Sequence, residues 1–145
     1  MTYTGRCLCG KVTLAISGEP LTTRQCWCRQ CQQIACGGPT HNAIFKTADV
    51  TVTGDLAASA WDAASGNVLT ASFCPACGTH IHGQPSARPH LLVVRLGVLD
   101  EPHGLKPEVV IWTDDAPDWA LIDPALEQWP QQAPPAPPPP DSVKA

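Results

Sequence analysis

Seven of the eight cysteines in this chain of 145 residues fall into three tight groups. The groups read Cys7-x-Cys9, Cys26-x-Cys28-x-x-Cys31 and Cys74-Pro-Ala-Cys77-Gly. Thiolates that share a zinc ion must converge to ~2.3 Å from it, and short spacings of this kind favour such convergence. The cysteines therefore constrain the fold more than any other feature, either as metal ligands or as disulfide partners.

The redox compartment decides between these two roles. Residues 1–6 lack the apolar segment of a signal peptide, and no later stretch approaches ~18 consecutive apolar residues. We therefore expect a cytoplasmic protein with reduced thiols and no membrane-spanning segment. In a reducing compartment, clustered cysteines indicate metal binding more often than disulfides.

The charge of the chain argues against nucleic-acid partners. The formal net charge of −4 counts the cysteines as neutral, and seven thiolate ligands with two zinc ions would make it more negative. The nine Lys and Arg residues are scattered along the sequence without a cluster. Because such a surface does not attract phosphate backbones, we expect neither nucleic-acid binding nor binding to bulk membrane.

Short strands dominate the secondary structure that the sequence predicts. Apolar and polar residues alternate in segments 12–16 and 50–53, which is typical of half-buried, antiparallel strands. Further strands are predicted at 68–73, 90–96 and 109–113, and the second of these is apolar enough to be buried on both faces. The chain is therefore predicted to be mainly β.

Two stretches have helical character. Residues 29–35 follow the second cysteine group, and a short helical turn is predicted at 124–128, with Asp123 as its N-cap and Pro124 as its first residue. Both helices are expected to be short.

The composition changes at Pro130. From there the sequence reads PQQAPPAPPPP, which offers little apolar surface to bury and restricts the backbone to polyproline-like conformations. We expect a zinc-binding domain over residues 1–129 and a disordered, Pro-rich tail over residues 130–145.

Four cysteines are predicted to form a closed site. In the Cys74-Pro-Ala-Cys77-Gly segment, Pro75 and Gly78 favour a tight turn of the kind found in zinc ribbons. A Cys-x-Cys pair in an extended strand places both sulfurs on one face, which would make Cys7 and Cys9 the other half of a tetrahedral Cys₄ set. This four-cysteine cluster would tie the first and middle parts of the chain together.

The remaining group, the three-cysteine cluster, consists of Cys26, Cys28 and Cys31. Three protein ligands and one exchangeable position are typical of catalytic zinc. The alternative is that Cys36 or a histidine closes the site. Five residues of helix would place the Cys31 and Cys36 side chains about 140° apart, so we expect Cys36 to be a buried apolar thiol that does not bind the metal.

Four motifs with their glycines in register resemble the glutathione-dependent formaldehyde-activating enzyme family, which includes centromere protein V. They cover most of the chain between residues 5 and 112. In chain order they read Gly5-x-Cys7-x-Cys9-Gly10-x-Val12, Cys26-x-Cys28-x-x-Cys31-Gln32, Phe73-Cys74-Pro-x-Cys77-Gly78-Thr79 and Arg95-x-Gly97-x-Leu99-Asp100.

The resemblance implies a β-tent fold of antiparallel sheets that is held by two zinc ions per chain. It also implies that the four-cysteine cluster carries the structural ion and that the three-cysteine cluster carries the second, with its cysteines as the catalytic residues. The expected activity is that of a carbon–sulfur lyase or a thiol–aldehyde adduct-forming enzyme, with glutathione or a similar thiol and a small aldehyde as partners. The alternatives are a non-catalytic, zinc-binding interaction module and a thiol-based metal carrier.

Two residues depart from the family pattern. Trp27 stands where the family usually has His, and its indole can stack on a ligand but cannot relay a proton. Cys36 lies near a position that is usually Gly.

Four further residues have two interpretations each. His80 and His82 lie two residues apart, so on a strand they would share one face, either towards the three-cysteine cluster or towards solvent. Arg95 and Asp100 are interpreted either as substrate contacts or as a buried ion pair.

Overall fold

The computed structural model describes residues 2–135, which form strands, one α-helix and three short 3₁₀ helices. The strands are β1 Thr2–Arg6, β2 Thr13–Ser17, β3 Thr22–Cys26, β4 Thr40–Lys46, β5 Val50–Thr53, β6 Ala57–Asp62, β7 Val68–Phe73, β8 His80–Pro85, β9 Leu91–Arg95, β10 Val109–Ile111 and β11 Glu127–Gln128. Helix α1 is Arg29–Ile34, and the 3₁₀ helices are Thr47–Asp49, Leu96–Val98 and Thr113–Asp115. No helix in the described part of the chain is long and apolar enough to cross a membrane.

The strands form two sheets. One has three strands in the order β1-β2-β5, and the other has eight in the order β11-β10-β3-β4-β9-β8-β7-β6. All pairs are antiparallel except those of β10, which runs parallel to both β3 and β11. The predicted mainly β fold with few short helical turns is confirmed, and the larger sheet is mixed rather than wholly antiparallel.

The three-stranded sheet packs against the larger sheet through alternating apolar residues. In β1 and β2 every second side chain is buried, as the period of two predicts. The Tyr3 ring meets the Phe45 ring of β4 edge to face, with centroids 5.7 Å apart. The backbone of β1 also forms a bridge from Gly5 to Leu99, where a Cβ atom on Gly5 would collide with the carbonyl of Val98. Glycine thus lets β1 approach closely the segment that follows β9.

Strands β4 and β9 lie at the centre of the larger sheet and separate two environments. On one face Phe45, Leu92 and Val94 are buried in the main core. On the other face Ile44 and Val93 are half-buried and line an open cavity. The prediction that segment 90–96 is buried on both faces therefore holds for one face only.

The helical turn predicted at residues 124–128 is wrong. Asp123 does accept a hydrogen bond from the Ala125 backbone through Oδ1 (2.9 Å), but the chain makes only a turn there. It then forms β11, which pairs with β10. Sheet pairing outweighs the helical start signal because the segment is too short for a helix to compete.

Residues beyond the expected domain boundary contact the domain. The Trp112 and Asp114 backbones donate hydrogen bonds to the carbonyls of Gln131 and Pro130 (both 3.1 Å), and Ala133 is buried. The interpretation of the chain from Pro130 as a free tail thus needs correction for residues 130–134. Residues 136–145 of the predicted tail lie outside the described residues.

Candidate metal centres

The four-cysteine cluster forms between the two sheets. Cys7 and Cys9 follow β1, whereas Cys74 and Cys77 lie between β7 and β8, and all four sulfurs lie within 4.8 Å of one another. Cys7 and Cys74 are each 1% exposed and belong to the main core. The sequence prediction that these two pairs share a site agrees with this arrangement.

Both halves of this cluster are tight turns, and the expectation of an extended Cys7-x-Cys9 pair is wrong. The Gly10 backbone donates to the Cys7 carbonyl (3.1 Å), and the Gly78 backbone donates to the Cys74 carbonyl (2.8 Å). Both glycines have positive φ, 81° and 77°, where other residues are strained. The turn at Cys7 also lets the Val12 backbone N–H donate a hydrogen bond to Cys7 Sγ (3.3 Å).

Thr79 connects the two turns of the four-cysteine cluster. Its hydroxyl accepts a hydrogen bond from the Leu8 backbone (3.2 Å) and lies 3.2 Å from Cys77 Sγ. The hydrogen bond from Thr79 lowers the pKa of Cys77 to about 5. A thiolate, the form that binds metal, is therefore favoured at neutral pH.

The sulfur spacing of the four-cysteine cluster fits a tetrahedral ion. Four sulfurs bound at ~2.3 Å to one zinc ion are about 3.8 Å apart. The Cys7–Cys9 and Cys9–Cys74 sulfur pairs are 3.6 and 3.8 Å apart. All eight cysteines are free thiols rather than disulfides. This cluster could bind a metal ion with every tetrahedral position filled by protein.

The three-cysteine cluster is built from one short stretch of chain. Cys26 ends β3, Cys28 is the N-cap of α1, and Cys31 lies in the first turn of that helix. Their sulfurs also lie within 4.8 Å of one another. In the described part of the chain no fourth His, Cys, Asp or Glu joins this set, so a bound ion would keep one position for another ligand.

Hydrogen bonds from Cys26, from Cys31 and from the start of α1 favour the thiolate form of Cys28. The Cys31 backbone N–H lies 3.3 Å from Cys28 Sγ, which places the sulfur where an N-cap acceptor belongs. Hydrogen bonds from the Cys26 and Cys31 thiols lower the pKa of Cys28 to about 3. The same contact with Cys28 raises the pKa of Cys26. Without a cation, a proton therefore binds to Cys26 in preference to Cys28.

Gln32 anchors this helix from inside. Its side-chain amide is buried and donates to the carbonyls of Trp27 (2.8 Å) and Asp115 (2.9 Å). The two carbonyls belong to the segments before α1 and after β10. The three-cysteine cluster thus has a fixed backbone even though it spans few residues.

Cys36 lies outside the three grouped sulfurs and is exposed, so the prediction of a buried thiol is wrong. It follows Ala35, the C-cap of α1, and has a left-handed backbone with φ 60°. The Gly37 backbone donates to the Gln32 carbonyl (2.7 Å), as in a Schellman motif. The helix therefore ends with Cys36, rather than a glycine, in the left-handed position.

A chain of hydrogen bonds runs from Arg95 to the three-cysteine cluster. Arg95 Nη1 donates to Asn42 Oδ1 (2.6 Å), and Asn42 Nδ2 donates to Thr40 Oγ1 (2.9 Å). The Thr40 hydroxyl then donates to Cys31 Sγ (3.1 Å). Because Thr40 accepts from the amide, its proton is directed at sulfur, and this hydrogen bond lowers the pKa of Cys31, whereas the contact with Cys28 and burial raise it overall.

Arg95 has no ion-pair role with Asp100, so that interpretation is wrong. Asp100 is exposed and accepts a hydrogen bond from the Thr4 hydroxyl (2.8 Å). Arg95 is 8% exposed, and its Nε and Nη2 atoms have no hydrogen-bond partner. Burial lowers the pKa of its guanidinium, and the neighbouring thiolates of the three-cysteine cluster oppose that shift.

His80 and His82 share a face of β8, but neither lines the cavity beside the three-cysteine cluster. The His80 ring stacks on Phe73 with centroids 5.8 Å apart. The Nδ1 atoms of both histidines are buried without a partner. Burial, followed by the charge of Arg95, lowers the pKa of each ring. Both are therefore neutral, packed side chains.

Trp27 is also directed away from the cavity. It is 3% exposed and meets Trp119 edge to face, with centroids 6.3 Å apart. Its Nε1 donates to Gln25 Oε1 (3.2 Å). The expectation that its indole stacks on a ligand is not supported by this position, and its role is in packing.

The three-cysteine cluster forms part of the wall of an open cavity of about 240 Å³. The apolar residues Leu69, Leu91 and Val93 supply part of the lining, and Trp61 and Trp112 supply aromatic surface. The polar lining includes three arginines, and the cavity is of the kind that binds small molecules. The metal ligands are thus accessible from solvent through a shaped opening.

Several residues around this cluster were missed by the sequence prediction. Thr40, Asn42 and Arg24 are buried polar residues of β3 and β4, and neither strand was predicted. A strand with polar side chains inside lacks the apolar alternation that marks a half-buried strand. Trp112 and Gln132 lack a sequence signal because they are joined only by folding, through a 3.1 Å hydrogen bond.

Comparison with known proteins places these features in a family. The sequence matches the model of the glutathione-dependent formaldehyde-activating enzyme family over residues 2–115. No curated protein matches the chain.

A crystal structure of a Rhodobacter sphaeroides protein is similar in fold, with a TM-score of 0.54 at 21% sequence identity. That similarity covers 87% of this chain and 98% of the other. Since the family match spans most of the sequence and includes both cysteine clusters, the chain belongs to the glutathione-dependent formaldehyde-activating enzyme family.

Proposed function

We propose that the chain binds two zinc ions, one in each cysteine cluster, and that the two ions have different roles. The four-cysteine cluster offers four sulfurs at tetrahedral spacing, which is typical of structural zinc. The three-cysteine cluster offers three sulfurs beside a cavity, which is typical of a zinc ion that exchanges its fourth ligand.

The activity that this arrangement supports best is that of a zinc-dependent carbon–sulfur lyase or thiol–aldehyde adduct-forming enzyme. The thiol substrate would bind at the open zinc of the three-cysteine cluster, and glutathione and formaldehyde are the partners that the family suggests. The observation that carries the proposal is the opening of all three sulfurs, Cys26, Cys28 and Cys31, to a cavity that also contains a buried arginine.

The reaction joins a thiol and an aldehyde without any redox change. The thiol sulfur supplies an electron pair to the carbonyl carbon, a C–S bond forms, and the C=O π pair moves to oxygen. The thiol proton is released, and the oxygen takes up a proton from water, so the product is a hydroxymethyl thioether. In reverse, the same bond breaks and the step is a carbon–sulfur lyase reaction. A zinc ion, when bound, would hold the substrate sulfur as the thiolate, its nucleophilic form.

The protein's own contribution is to stabilise negative charge in a partly closed site. The Arg95 guanidinium is buried beside the cysteines and stays protonated at neutral pH. Thr40 holds Cys31 by a directed hydrogen bond. Both interactions favour thiolates over thiols, and a buried charge acts more strongly than an exposed one because the local dielectric is low.

The metal content tests the first part of this proposal. Protein purified from zinc-replete cells should contain two zinc ions per chain by elemental analysis. Cys28→Ala should contain one. An iron-containing protein, or one ion in the unaltered chain, would contradict the assignment.

The activity is tested with ¹³C-formaldehyde and glutathione. Because thiols add to formaldehyde without a catalyst, the measured quantity is the exchange rate between free and adduct formaldehyde, with and without enzyme, by magnetisation-transfer NMR. The intact protein should accelerate exchange, Cys28→Ala should not, and Cys36→Ser should match the intact protein. No acceleration by any form would favour the alternative, a non-catalytic zinc-binding interaction module.

The open metal position is tested separately with cobalt in place of zinc. Thiolate binding to cobalt in the three-cysteine cluster should change its absorption bands when a thiol is added, because sulfur replaces another ligand. Cobalt in the four-cysteine cluster, seen alone in Cys28→Ala, should not respond. An unresponsive spectrum in the intact protein would show that no thiol enters.

A further inference from the structure

The cavity beside the three-cysteine cluster carries an unbalanced positive charge. Arg24, Arg88 and Arg95 all line it, and no Asp or Glu is among its lining residues in the described part of the chain. Arg24 and Arg95 are each 8% exposed. Buried cations normally have a carboxylate partner, because the loss of hydration is otherwise uncompensated.

The metal cluster itself accounts for one of these charges. Three thiolates with one zinc ion carry a net charge of about −1. Arg95 lies beside the sulfurs and is connected to Cys31 by the hydrogen bonds through Asn42 and Thr40. Its charge therefore offsets that of the loaded cluster, and two arginines remain.

Arg24 has hydrogen-bonding capacity that the protein does not use. It lies two residues before Cys26 on β3, so both side chains are on the same face of the strand, about 7 Å apart along it. Arg24 Nη2 donates to the Pro134 carbonyl (3.3 Å), whereas its buried Nε has no partner. Glu127, an exposed residue of β11, lines a second groove together with Arg24, but of these two residues only Arg24 also lines the cavity.

Arg88 places a second guanidinium near the first. It is half-buried in the turn after β8. Arg24 and Arg88 line the same cavity, so their like charges repel. An anion between or beside them would remove this repulsion and satisfy the free donor.

From this arrangement we propose that the cavity binds a thiol that also carries a carboxylate, with the carboxylate bound by Arg24 and Arg88 and the sulfur directed to the three-cysteine cluster. The proposal rests on the proposed function, because it assumes that the sulfur end of the ligand points to the cluster. It adds the site that selects an anionic thiol over a neutral one. Guanidinium groups suit this role because they bind carboxylates with paired, charge-assisted hydrogen bonds.

Part of the cavity wall comes from residues outside the family match. Gln132 and Ala133 line the cavity, whereas the match ends at residue 115. Gln132 Oε1 accepts a hydrogen bond from Trp112 Nε1, and Trp112 has a left-handed backbone with φ 60°. Segment 127–134 thus holds both an aromatic wall residue and, through Pro134, the Arg24 side chain. Selectivity for the body of the thiol therefore depends on a part of the chain that the family motif does not contain.

The test uses ligands that cannot bind zinc as thiolates. S-methylglutathione keeps both carboxylates of glutathione, and its diethyl ester removes their charge with little change elsewhere. Binding to the zinc-loaded full chain is measured by isothermal titration calorimetry and by quenching of tryptophan fluorescence. The proposal expects the diester to bind at least about tenfold more weakly, since hydrogen bonds to charged groups are lost. Equal affinities would overturn it.

Variants locate the anion site. Arg88→Gln should weaken S-methylglutathione binding about tenfold and leave binding of the diester unchanged. Arg24→Lys keeps the buried charge but removes the Nε donor, so it should give a smaller loss for the same ligand. Arg6→Gln is the matched control, because Arg6 is an exposed residue of the other sheet. A loss that Arg88→Gln shows equally for both ligands would mean that Arg88 only shapes the wall, and the proposal would fail.

The outcomes separate this proposal from the proposed function. If cobalt in the three-cysteine cluster responds equally to 3-mercaptopropionate and to its neutral amide, thiol ligation stands and the anion site is wrong. If S-methylglutathione binds as expected but no thiol changes the cobalt spectrum, the anion site stands and thiol ligation is wrong.

Discussion

The two cysteine clusters use the same ligand in opposite ways. The four-cysteine cluster joins residues 7–9 to residues 74–77, and so links the small sheet to the large one. The three-cysteine cluster takes all its sulfurs from residues 26–31 and leaves them open to a cavity. Sequence separation and the number of sulfurs thus distinguish a cross-link from a binding site.

The surroundings of the two clusters also distinguish a structural cross-link from a binding site. Cys7 and Cys74 are part of the main apolar core, so the ion there would be enclosed by packing. The three-cysteine cluster is instead surrounded by buried polar groups, among them Asn42 and Arg95. Buried polar networks cost stability unless they are satisfied, and Arg95 is only partly satisfied. Such a cost is expected at a binding site and not at a structural one.

The largest expected effect is a difference in stability between variants that each remove one cysteine from one cluster. Cys74→Ala should unfold or aggregate the protein, because a metal site that joins distant segments contributes folding energy of roughly 10 kcal/mol. Cys28→Ala should leave a folded chain that has lost one metal, since its cluster closes only a short loop. Circular dichroism and elemental analysis measure both outcomes. An equal loss of structure in the two variants would remove the distinction.

A pair of threonines gives the next test, because each cluster has one hydroxyl close to one sulfur. Thr40 lies 3.1 Å from Cys31 Sγ, and Thr79 lies 3.2 Å from Cys77 Sγ. Loss of such an outer hydrogen bond typically lowers metal affinity 10–100-fold. Thr40→Val should therefore weaken zinc in the three-cysteine cluster alone, and Thr79→Val should weaken zinc in the other cluster alone.

Competition with a chromophoric chelator measures these affinities, and each threonine variant is the control for the other. If both substitutions weaken the same ion, or if neither has an effect, the hydroxyls are not ligand partners. Because valine keeps the shape of threonine without its hydroxyl, a general loss of packing is not expected to dominate.

The sequence was sufficient to predict the partition of the cysteines and much of the sheet. Spacing alone grouped the ligands, and strands β5 and β7 match segments 50–53 and 68–73. In β5 the alternation arises because Val50 and Val52 pack against the main core. Helix α1 ends one residue before the predicted segment 29–35 does. These features follow from local patterns, which a single sequence contains.

The features that the sequence did not predict depend on contacts between residues that are far apart in the chain. The inward polar residues Arg24 and Asn42 break the alternation of β3 and β4, so those strands resemble loops in the sequence. The parallel pairing of β10 and the contacts of residues 130–134 arise only when the C-terminal segment reaches the sheet edge. Low apolar content predicted a free tail, but hydrogen bonds from the Trp112 and Asp114 backbones hold its first residues.

A truncation series tests whether that segment serves one cluster only. Removal of residues 130–145 should lower the free energy of unfolding by about 1–2 kcal/mol, because backbone hydrogen bonds and the burial of Ala133 are lost. Removal of residues 136–145 should change it by less than about 0.5 kcal/mol. Denaturant unfolding measures both.

The longer truncation should also perturb the cobalt spectrum of the three-cysteine cluster, because Ala133 packs with Cys26 and Cys28. The spectrum of the four-cysteine cluster should stay unchanged. A loss of stability without this local effect would show that the segment supports the sheet but not the site.

The smallest expected effect concerns Cys36, the cysteine that belongs to neither cluster. Its backbone is left-handed, which costs a residue with a side chain about 1–2 kcal/mol, whereas glycine adopts it freely but loses up to ~1 kcal/mol more entropy on folding. Cys36→Gly should therefore raise the free energy of unfolding by about 0.5–1 kcal/mol. Cys36→Ser keeps the strained backbone and should stay within about 0.5 kcal/mol of the parent protein. Both variants should retain two zinc ions, because the exposed thiol is not among the grouped sulfurs. Loss of one zinc from both, with the circular dichroism unchanged, would show that Cys36 closes the three-cysteine cluster in solution, and the contrast between a closed and an open site would no longer hold.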